Sequence, residues 1–217
     1  APKFPIPNNY IFLMRYAHLK QDNKLSEYVQ LTLDKMAWGG IYDQVGGGFA
    51  RYSTDKLWKV PHFEKMLYDN AQLVSLYSEA YTCYGKEMYK DIVEQTLAFV
   101  ERELSNDNGA FYSALDADSE GVEGKFYVWK KEELKSVLEQ DYPLFAKYYN
   151  INHKGYWEEG NYILVKDQSD KDFCKKENLE LDVFQQKVKY WQSILLEERE
   201  QRTRPALDDK SLTSWNA

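Results

Sequence analysis

The sequence predicts an all-α fold with short β-hairpins, in which helical hairpins repeat around a ring. Apolar residues recur at helical spacing in successive segments, and these segments come in pairs. Each of the first two pairs is linked to the next part of the chain by a long segment rich in glycine and aromatic residues. Because 43% of the 217 residues are hydrophobic, the chain can bury a substantial core. Its length suits one large domain or two small ones.

The first predicted pair of helices lies at the start of the chain. Pro7 and Asn8 open the first helix, since proline is favoured in a first turn. Its expected buried face consists of Phe12, Leu13, Tyr16 and Ala17. The second helix ends at Gly39 and Gly40, and its apolar stripe consists of Leu25, Tyr28, Val29, Thr32, Leu33 and Met36.

The second predicted pair begins after Pro61, which should precede a long helix that ends near Gly85. The partner helix runs from about Lys86 to Leu104, with an apolar residue at every third or fourth position. Three later helices complete the set: one around Leu134, one that begins at Pro143, and a long one capped by Asp182.

Two long connections separate the helical pairs. Residues 39–48 hold five of the eleven glycines, and residues 49–55 have the pattern of a short strand and turn. Residues 109–129 are typical of two short strands that flank an acidic, glycine-rich loop. The order of a helix pair followed by a long connection occurs twice and forms a weak internal repeat. Such a repeat is expected for α-α hairpins arranged around a ring.

Composition and motifs exclude several classes of function. A net charge of −7 without a basic stripe argues against nucleic acid and anionic membranes as partners. No apolar run approaches the ~20 residues of a membrane helix. Cys83 and Cys174 are far apart, which indicates free thiols and a cytoplasmic location. Gly46 and Gly48 lack the frame of a dinucleotide or phosphate loop, so we expect no cofactor.

His62 is the first candidate for acid–base chemistry. The expected helix would place His62 and Glu64 in its first turn, with Asp69 two turns along on the face of His62. A histidine oriented by a neighbouring carboxylate can carry protons. The alternative is a capping or hydrogen-bonded core histidine. The spacing is not that of a zinc protease, so no metal is expected.

The acidic loop supplies the other candidate carboxylates, Asp116, Asp118 and Glu123. If they turn into a pocket, their mutual repulsion raises one another's pKa and creates an acid–base candidate. The alternatives are solvated loop charge or a calcium loop. Calcium fits poorly, because Tyr127 stands where a bidentate glutamate is required.

Three blocks of sequence closely resemble the signatures of one known family. They read GGIYDQVGGGFARYSTDKLWKVPHFEKMLYDNAQL, FYSALDADSEGVEGKFYVW and RPALDDKSLTSWNA. The family is that of thioredoxin-domain-containing proteins, which includes the spermatogenesis-associated members of animals and many bacterial homologues. Its members often have histidine where Ala50 stands, so a role for that histidine does not carry over.

The resemblance implies a fold for the whole chain. Family members carry a thioredoxin-like domain followed by an (α/α)6 toroid, similar to those of N-acylglucosamine 2-epimerases and six-hairpin glycosidases. Residues 1–217 resemble the first part, about half, of that toroid. The thioredoxin-like domain and the remainder of the toroid are then expected to be absent from this chain. Exposed apolar edges of a partial ring would lead to self-association.

The resemblance also favours a carbohydrate-active enzyme, with its site in a central funnel lined by the three blocks. His62 would be the acid or base, and Asp116, Asp118 and Glu123 the carboxylates. The residues expected to bind the sugar are Arg51, Tyr52, Trp58, Trp129, Asp208, Asp209 and Lys210. Epimerisation and glycoside hydrolysis stay open. A non-catalytic domain that binds a ligand or protein for a fused thioredoxin-like domain, and a purely structural polar network, are the alternatives.

Overall fold

A computed structural model describes residues 2–217 and confirms a mostly helical fold with short antiparallel strand pairs. The helices within this range are α1 (Pro7–Lys20), α2 (Asn23–Trp38), α3 (Leu67–Tyr84), α4 (Glu87–Leu104), α5 (Lys131–Leu138), α6 (Tyr142–Tyr148), α7 (Asp170–Glu177), α8 (Leu181–Glu200) and α9 (Thr213–Asn216). A 3-10 turn, Glu139–Asp141, links α5 to α6. The strands are β1 (Tyr52–Ser53), β2 (Pro61–His62), β3 (Lys65–Met66), β4 (Ala114–Leu115), β5 (Asp118–Ser119), β6 (Val122–Glu123), β7 (Trp129–Lys130), β8 (Asn161–Tyr162) and β9 (Leu207–Asp208).

The first four helices enclose one hydrophobic core. α1 packs on α2, α3 packs on α4, and α1 also packs on α3, as expected for two neighbouring helical hairpins. The apolar stripe of α2 meets that of α3 in the centre, where Leu33, Leu73 and Tyr77 are fully buried. Asp22 caps α2 by accepting a hydrogen bond from the backbone N–H of Leu25 at 3.0 Å. Gly85 ends α3 in the left-handed conformation.

Helices α5 to α8 enclose a second core. Phe145 of α6 and Trp191 of α8 are fully buried there, and their rings meet edge to face at 5.4 Å. The Trp191 indole donates to Asp141 at 2.9 Å, which satisfies its polar atom. The short helix α7 is not among the helices that the sequence predicts. Asp182 lies inside the first turn of α8 rather than at its cap, which is Glu180.

One small sheet joins the three sequence blocks. Strand β4 lies between β3 and β9, all antiparallel, in the order β3-β4-β9. Lys65 pairs with Leu115, and Leu115 pairs with Leu207. β3 lies in the first block, β4 in the second and β9 in the third. The blocks therefore meet in space although they are far apart in sequence.

Two local predictions about the first half of the chain are wrong. The helix expected after Pro61 begins at Leu67, because the preceding residues pair as strands: β2 with β1 and β3 with β4. On α1, Phe12 and Tyr16 are 63% and 42% exposed, whereas Met14 and Ala17 fill the core. No helix within residues 2–217 is long and apolar enough to cross a bilayer.

Candidate functional site

Extended backbone, not a helical turn, brings His62 and Glu64 together. From Pro61 to Leu67 buried and partly exposed residues alternate, as in a half-buried strand. Phe63 and Lys65 point inward, while His62 and Glu64 share the outer face. The predicted helical pairing of His62 with Asp69 is therefore wrong. His62 and Glu64 do lie side by side, because alternate residues of an extended segment point to the same side.

His62 is held between two carboxylates. Its Nδ1 lies 2.7 Å from Oε1 of Glu123, and its Nε2 lies 3.8 Å from Oε2 of Glu64. The ring of Tyr52 stacks on the imidazole, with centroids 4.9 Å apart and planes inclined by 18°. The short contact fixes the ring through Nδ1, while 3.8 Å is too long for a hydrogen bond at Nε2. Nε2 therefore faces Glu64 without a hydrogen bond to it.

Glu64 and Asp69 share the positive charge of Arg51. Arg51 donates to Oε2 of Glu64 at 3.1 Å. Burial raises the pKa of Asp69 to about 6, against the opposing effect of Arg51. Its Oδ2 is buried without a hydrogen-bond partner among the described residues. Asp69 lies beside the His62 cluster as a carboxyl that gains a proton near neutral pH, but no contact joins it to His62.

A groove of about 580 Å³ adjoins this cluster on the side of Glu123. Glu123 lines the groove and contacts His62, so it links the open space to the imidazole. The partly exposed indole of Trp157 and the guanidinium of Arg202 also line it. The groove thus combines an aromatic surface with polar groups, the usual composition of a small-molecule site.

Behind the site lies a buried charge cluster that the sequence did not reveal. Lys65 Nζ donates to Oδ2 of Asp43 at 2.8 Å and to the carbonyl of Gly47 at 2.9 Å, and Arg199 NH1 lies 2.9 Å from the same Asp43 oxygen. The two cations hold the pKa of Asp43 well below its usual range although burial acts the other way, and burial lowers the pKa of Lys65 to about 8. The cluster ties the glycine-rich loop and α8 to β3, and so positions His62 and Glu64.

The position of Lys65 is the one signal in the sequence that could have shown this cluster. Lysine occupies an inward position between the apolar residues Phe63 and Leu67. A buried lysine requires an anionic partner. Nothing in the sequence identifies that partner as Asp43.

The other predicted site residues do not join His62. Asp116 and Asp118 are exposed, and Asp118 only pairs with Glu123 across the β5-β6 hairpin. Asp208 and Lys210 pair with each other at 2.7 Å, and Lys210 lowers the pKa of Asp208. Asp209 is exposed. No contact among the described residues connects these groups to the imidazole.

Two predicted stacking residues are core residues instead. Trp58 is 2% exposed, and the Nζ of Lys3 lies 4.0 Å from the centre of its ring. Trp129 is 1% exposed, and the guanidinium carbon of Arg202 lies 4.1 Å from the centre of its ring. Neither indole can stack on a ligand, because other side chains cover both rings. Among residues 2–217, no three acidic, histidine or cysteine side chains are placed to hold a metal ion.

Comparison with known proteins shows that the chain is related to a curated protein of animals. It is 40% identical to human Spermatogenesis-associated protein 20 and 37% identical to the mouse protein, in both cases over 100% of this chain. The chain is a homologue of spermatogenesis-associated protein 20. It covers 31% of each of these two relatives, about a third of their length. An uncharacterized protein of Caenorhabditis elegans is 32% identical over 99% of the chain.

This result confirms the family that the three sequence blocks indicated. No protein-family model matches this homologue of spermatogenesis-associated protein 20. Among solved structures, a family 76 glycoside hydrolase from a bovine Bacteroides thetaiotaomicron strain is a partial match, with a TM-score of 0.42 and 12% identity. The match covers 62% of this chain and 31% of the hydrolase. The closure of the helical hairpins into a complete ring stays a prediction.

Proposed function

We propose that His62 and Glu123 form an acid–base site that acts on a sugar bound in the adjoining groove. One observation carries the proposal: Glu123 contacts Nδ1 of His62 at 2.7 Å and also lines the groove. Glu123 is the member of the pair that faces the groove, because Nε2 of His62 is directed at Glu64 on the other edge of the ring. His62 orients this carboxylate and exchanges a proton with it through Nδ1. The stacked ring of Tyr52 limits rotation of the imidazole.

The groove suits a mono- or disaccharide. Its volume of about 580 Å³ lies within the usual range of small-ligand sites. The indole of Trp157 offers an apolar surface for a sugar ring, and Asn161 and Lys130 offer polar groups for its hydroxyl groups. These groups support a carbohydrate as the ligand.

The arrangement favours proton transfer at carbon over glycoside hydrolysis. Hydrolysis requires two carboxyl groups that flank the scissile bond and are free to act on it. Here Glu64 is bound to Arg51 and does not line the groove, so only Glu123 of the two carboxylates beside His62 reaches the ligand. A carboxylate oriented by an imidazole, as Glu123 is by His62, is the kind of base that removes a proton beside a sugar carbonyl. We therefore favour an epimerase- or isomerase-like reaction.

The test is an exchange experiment in D₂O with a panel of reducing sugars and their N-acetylamino derivatives. We expect deuterium to enter the carbon next to the carbonyl, as observed by NMR, and His62→Asn to abolish this exchange. His18→Asn is the matched control, because His18 is an exposed histidine on α1 and does not line the groove. Exchange that persists in His62→Asn contradicts the proposal. Sugar binding without exchange supports the non-catalytic binding domain.

A further inference from the structure

A second cleft, of about 720 Å³, lies between α4 and α8. α4 contributes Asp91 and Gln95 to its lining, and α8 contributes Lys189. Trp38, at the end of α2, and Tyr42 of the glycine-rich loop line it as well. None of the residues that surround His62 belongs to this cleft, so it is a separate candidate site.

The cleft exists because α4 and α8 are tied to the same loop near their C-terminal ends. Near their C-terminal ends both helices bind the glycine-rich loop: Arg102 donates to the carbonyl of Gly46 at 2.7 Å, and Arg199 donates to Asp43 at 3.0 Å. Within residues 2–217 no hydrogen bond or ion pair joins α4 directly to α8. The opening between their N-terminal halves is therefore built into the fold.

Several of the charged groups in the cleft already have partners. Lys86 binds Asp34 at 2.7 Å, and Lys166 binds Asp170 at 3.3 Å. Asp91 on α4 and Lys189 on α8 are different, because neither forms a hydrogen bond or an ion pair with another described residue. The two helices thus each contribute one exposed, unpaired charge to the cleft, a carboxylate from α4 and an ammonium group from α8. Lys171 of α7 is a second unpaired ammonium group in the lining.

We propose that this cleft binds a short zwitterionic ligand, a free amino acid or a dipeptide. The ligand's ammonium group would bind Asp91 and its carboxylate would bind Lys189. Ile92 and Val188 also line the cleft and offer apolar contacts to the ligand's side chains. The volume of about 720 Å³ accommodates a dipeptide.

The local charges support this orientation. Burial raises the pKa of Asp91, as do the nearby acidic groups Asp170, Glu94 and Glu87, whereas Lys189 opposes the shift. A carboxylate among other carboxylates gains most from a bound cation. An ammonium group at Asp91 would therefore relieve the repulsion from the neighbouring acidic groups.

Binding of L-leucyl-L-leucine, measured by calorimetry, tests the proposal together with two blocked forms. The N-acetyl form lacks the ammonium group, and the C-terminal amide lacks the carboxylate. We expect each blocked form to bind at least tenfold more weakly than the free dipeptide. Equal affinity of all three forms, or no binding of the free dipeptide at millimolar concentration, overturns the proposal.

Two variants assign each charge of the ligand to its partner. Asp91→Asn should weaken the free dipeptide tenfold or more yet leave the N-acetyl form unaffected, because the interaction is already lost. Lys189→Gln should likewise weaken binding of the free dipeptide tenfold or more and leave binding of the C-terminal amide unaffected. Glu101→Gln is the matched control on α4, since Glu101 is exposed and lies outside the cleft. If a variant weakens binding of the matching blocked form as much as it weakens binding of the free dipeptide, the proposed contacts are contradicted.

Discussion

Asp69 makes a testable contribution to the pH dependence of stability. Its folded-state pKa of about 6 exceeds the unfolded value of about 3.9, so the folded chain binds more protons between these pH values. The free energy of unfolding contributed by this group therefore falls as the pH rises from about 4 to about 6. Asp69→Asn removes this pH-dependent loss of unfolding free energy, because asparagine does not ionise. We expect the variant to be more stable by about 1 kcal/mol at pH 8, after allowance for solvent screening.

The measurement is urea unfolding at pH 4 and at pH 8. The gain should be present at pH 8 and absent at pH 4, where the native carboxyl is already protonated. Asp107→Asn serves as control, because Asp107 is an exposed side chain in a turn. An equal gain at both pH values would show that packing rather than charge is responsible.

The sequence singled out three residues that meet in the structure, but not the contacts between them. His62, Glu64 and Glu123 follow from residue chemistry, since histidine and carboxylates are the usual proton carriers. The contact between His62 and Glu123 spans 61 residues, and no local period encodes such a distance. The partners of Lys65 were missed for the same reason, because Asp43 and Arg199 lie in remote parts of the chain.

Gly48 in the glycine-rich loop is expected to be much less tolerant of substitution than Gly85 at the end of α3. Both residues have a positive φ, of 79° and 66°. A Cβ atom at Gly48 would lie 2.4 Å from Cδ1 of Phe99, whereas nothing lies within 4 Å of one at Gly85. Gly48→Ala should therefore cost about 2–4 kcal/mol, from backbone strain and overpacking together. Gly85→Ala should cost only about 1 kcal/mol.

Urea midpoints of the two variants measure this difference. Because both glycines have a positive φ, Gly85→Ala measures the cost of an alanine at such a φ without the contact to Phe99. Similar midpoints for the two variants would mean that Phe99 moves aside at little cost. They would also show that the loop is packed less tightly on α4 than the structure indicates.

Helices were predictable along most of the chain, whereas strands were not. α2 and α4 match their predicted bounds closely, because a long apolar stripe repeats every 3.6 residues. The strands are two residues long and depend on partners far along the chain, as in the pairing of Lys65 with Leu115. The segment before Leu67 was therefore misassigned to α3. The short helix α7 carries too few turns for its period to stand out.

At the scale of the whole molecule, a polar centre joins the two largest of four hydrophobic clusters. α1 to α4 enclose one core and α5 to α8 the other. The buried pair of Asp43 and Arg199 connects them, since Asp43 follows α2 and Arg199 ends α8. Breaking a buried ion pair leaves an uncompensated charge, so this centre fixes how the two halves meet. The cleft between α4 and α8 depends on that junction.

The outer face of α1 leads us to expect self-association of the chain. Phe12, Tyr16 and Leu19 lie three or four residues apart and form one apolar stripe, with Phe12 63% and Leu19 76% exposed. A second copy of the chain would cover this stripe and remove it from water. Sedimentation velocity should show dimers that increase with concentration. The combined variant Phe12→Ser and Leu19→Ser should remain a monomer.

Leu57→Ser is the matched control for that experiment. Leu57 is 74% exposed, as open as Leu19, but it lies in the turn between β1 and β2 rather than on α1. If exposed leucine area alone caused association, the control would reduce it as well. If the stripe on α1 is the contact surface, the control dimerises like the native chain. A native chain that stays monomeric at high concentration contradicts the expectation altogether.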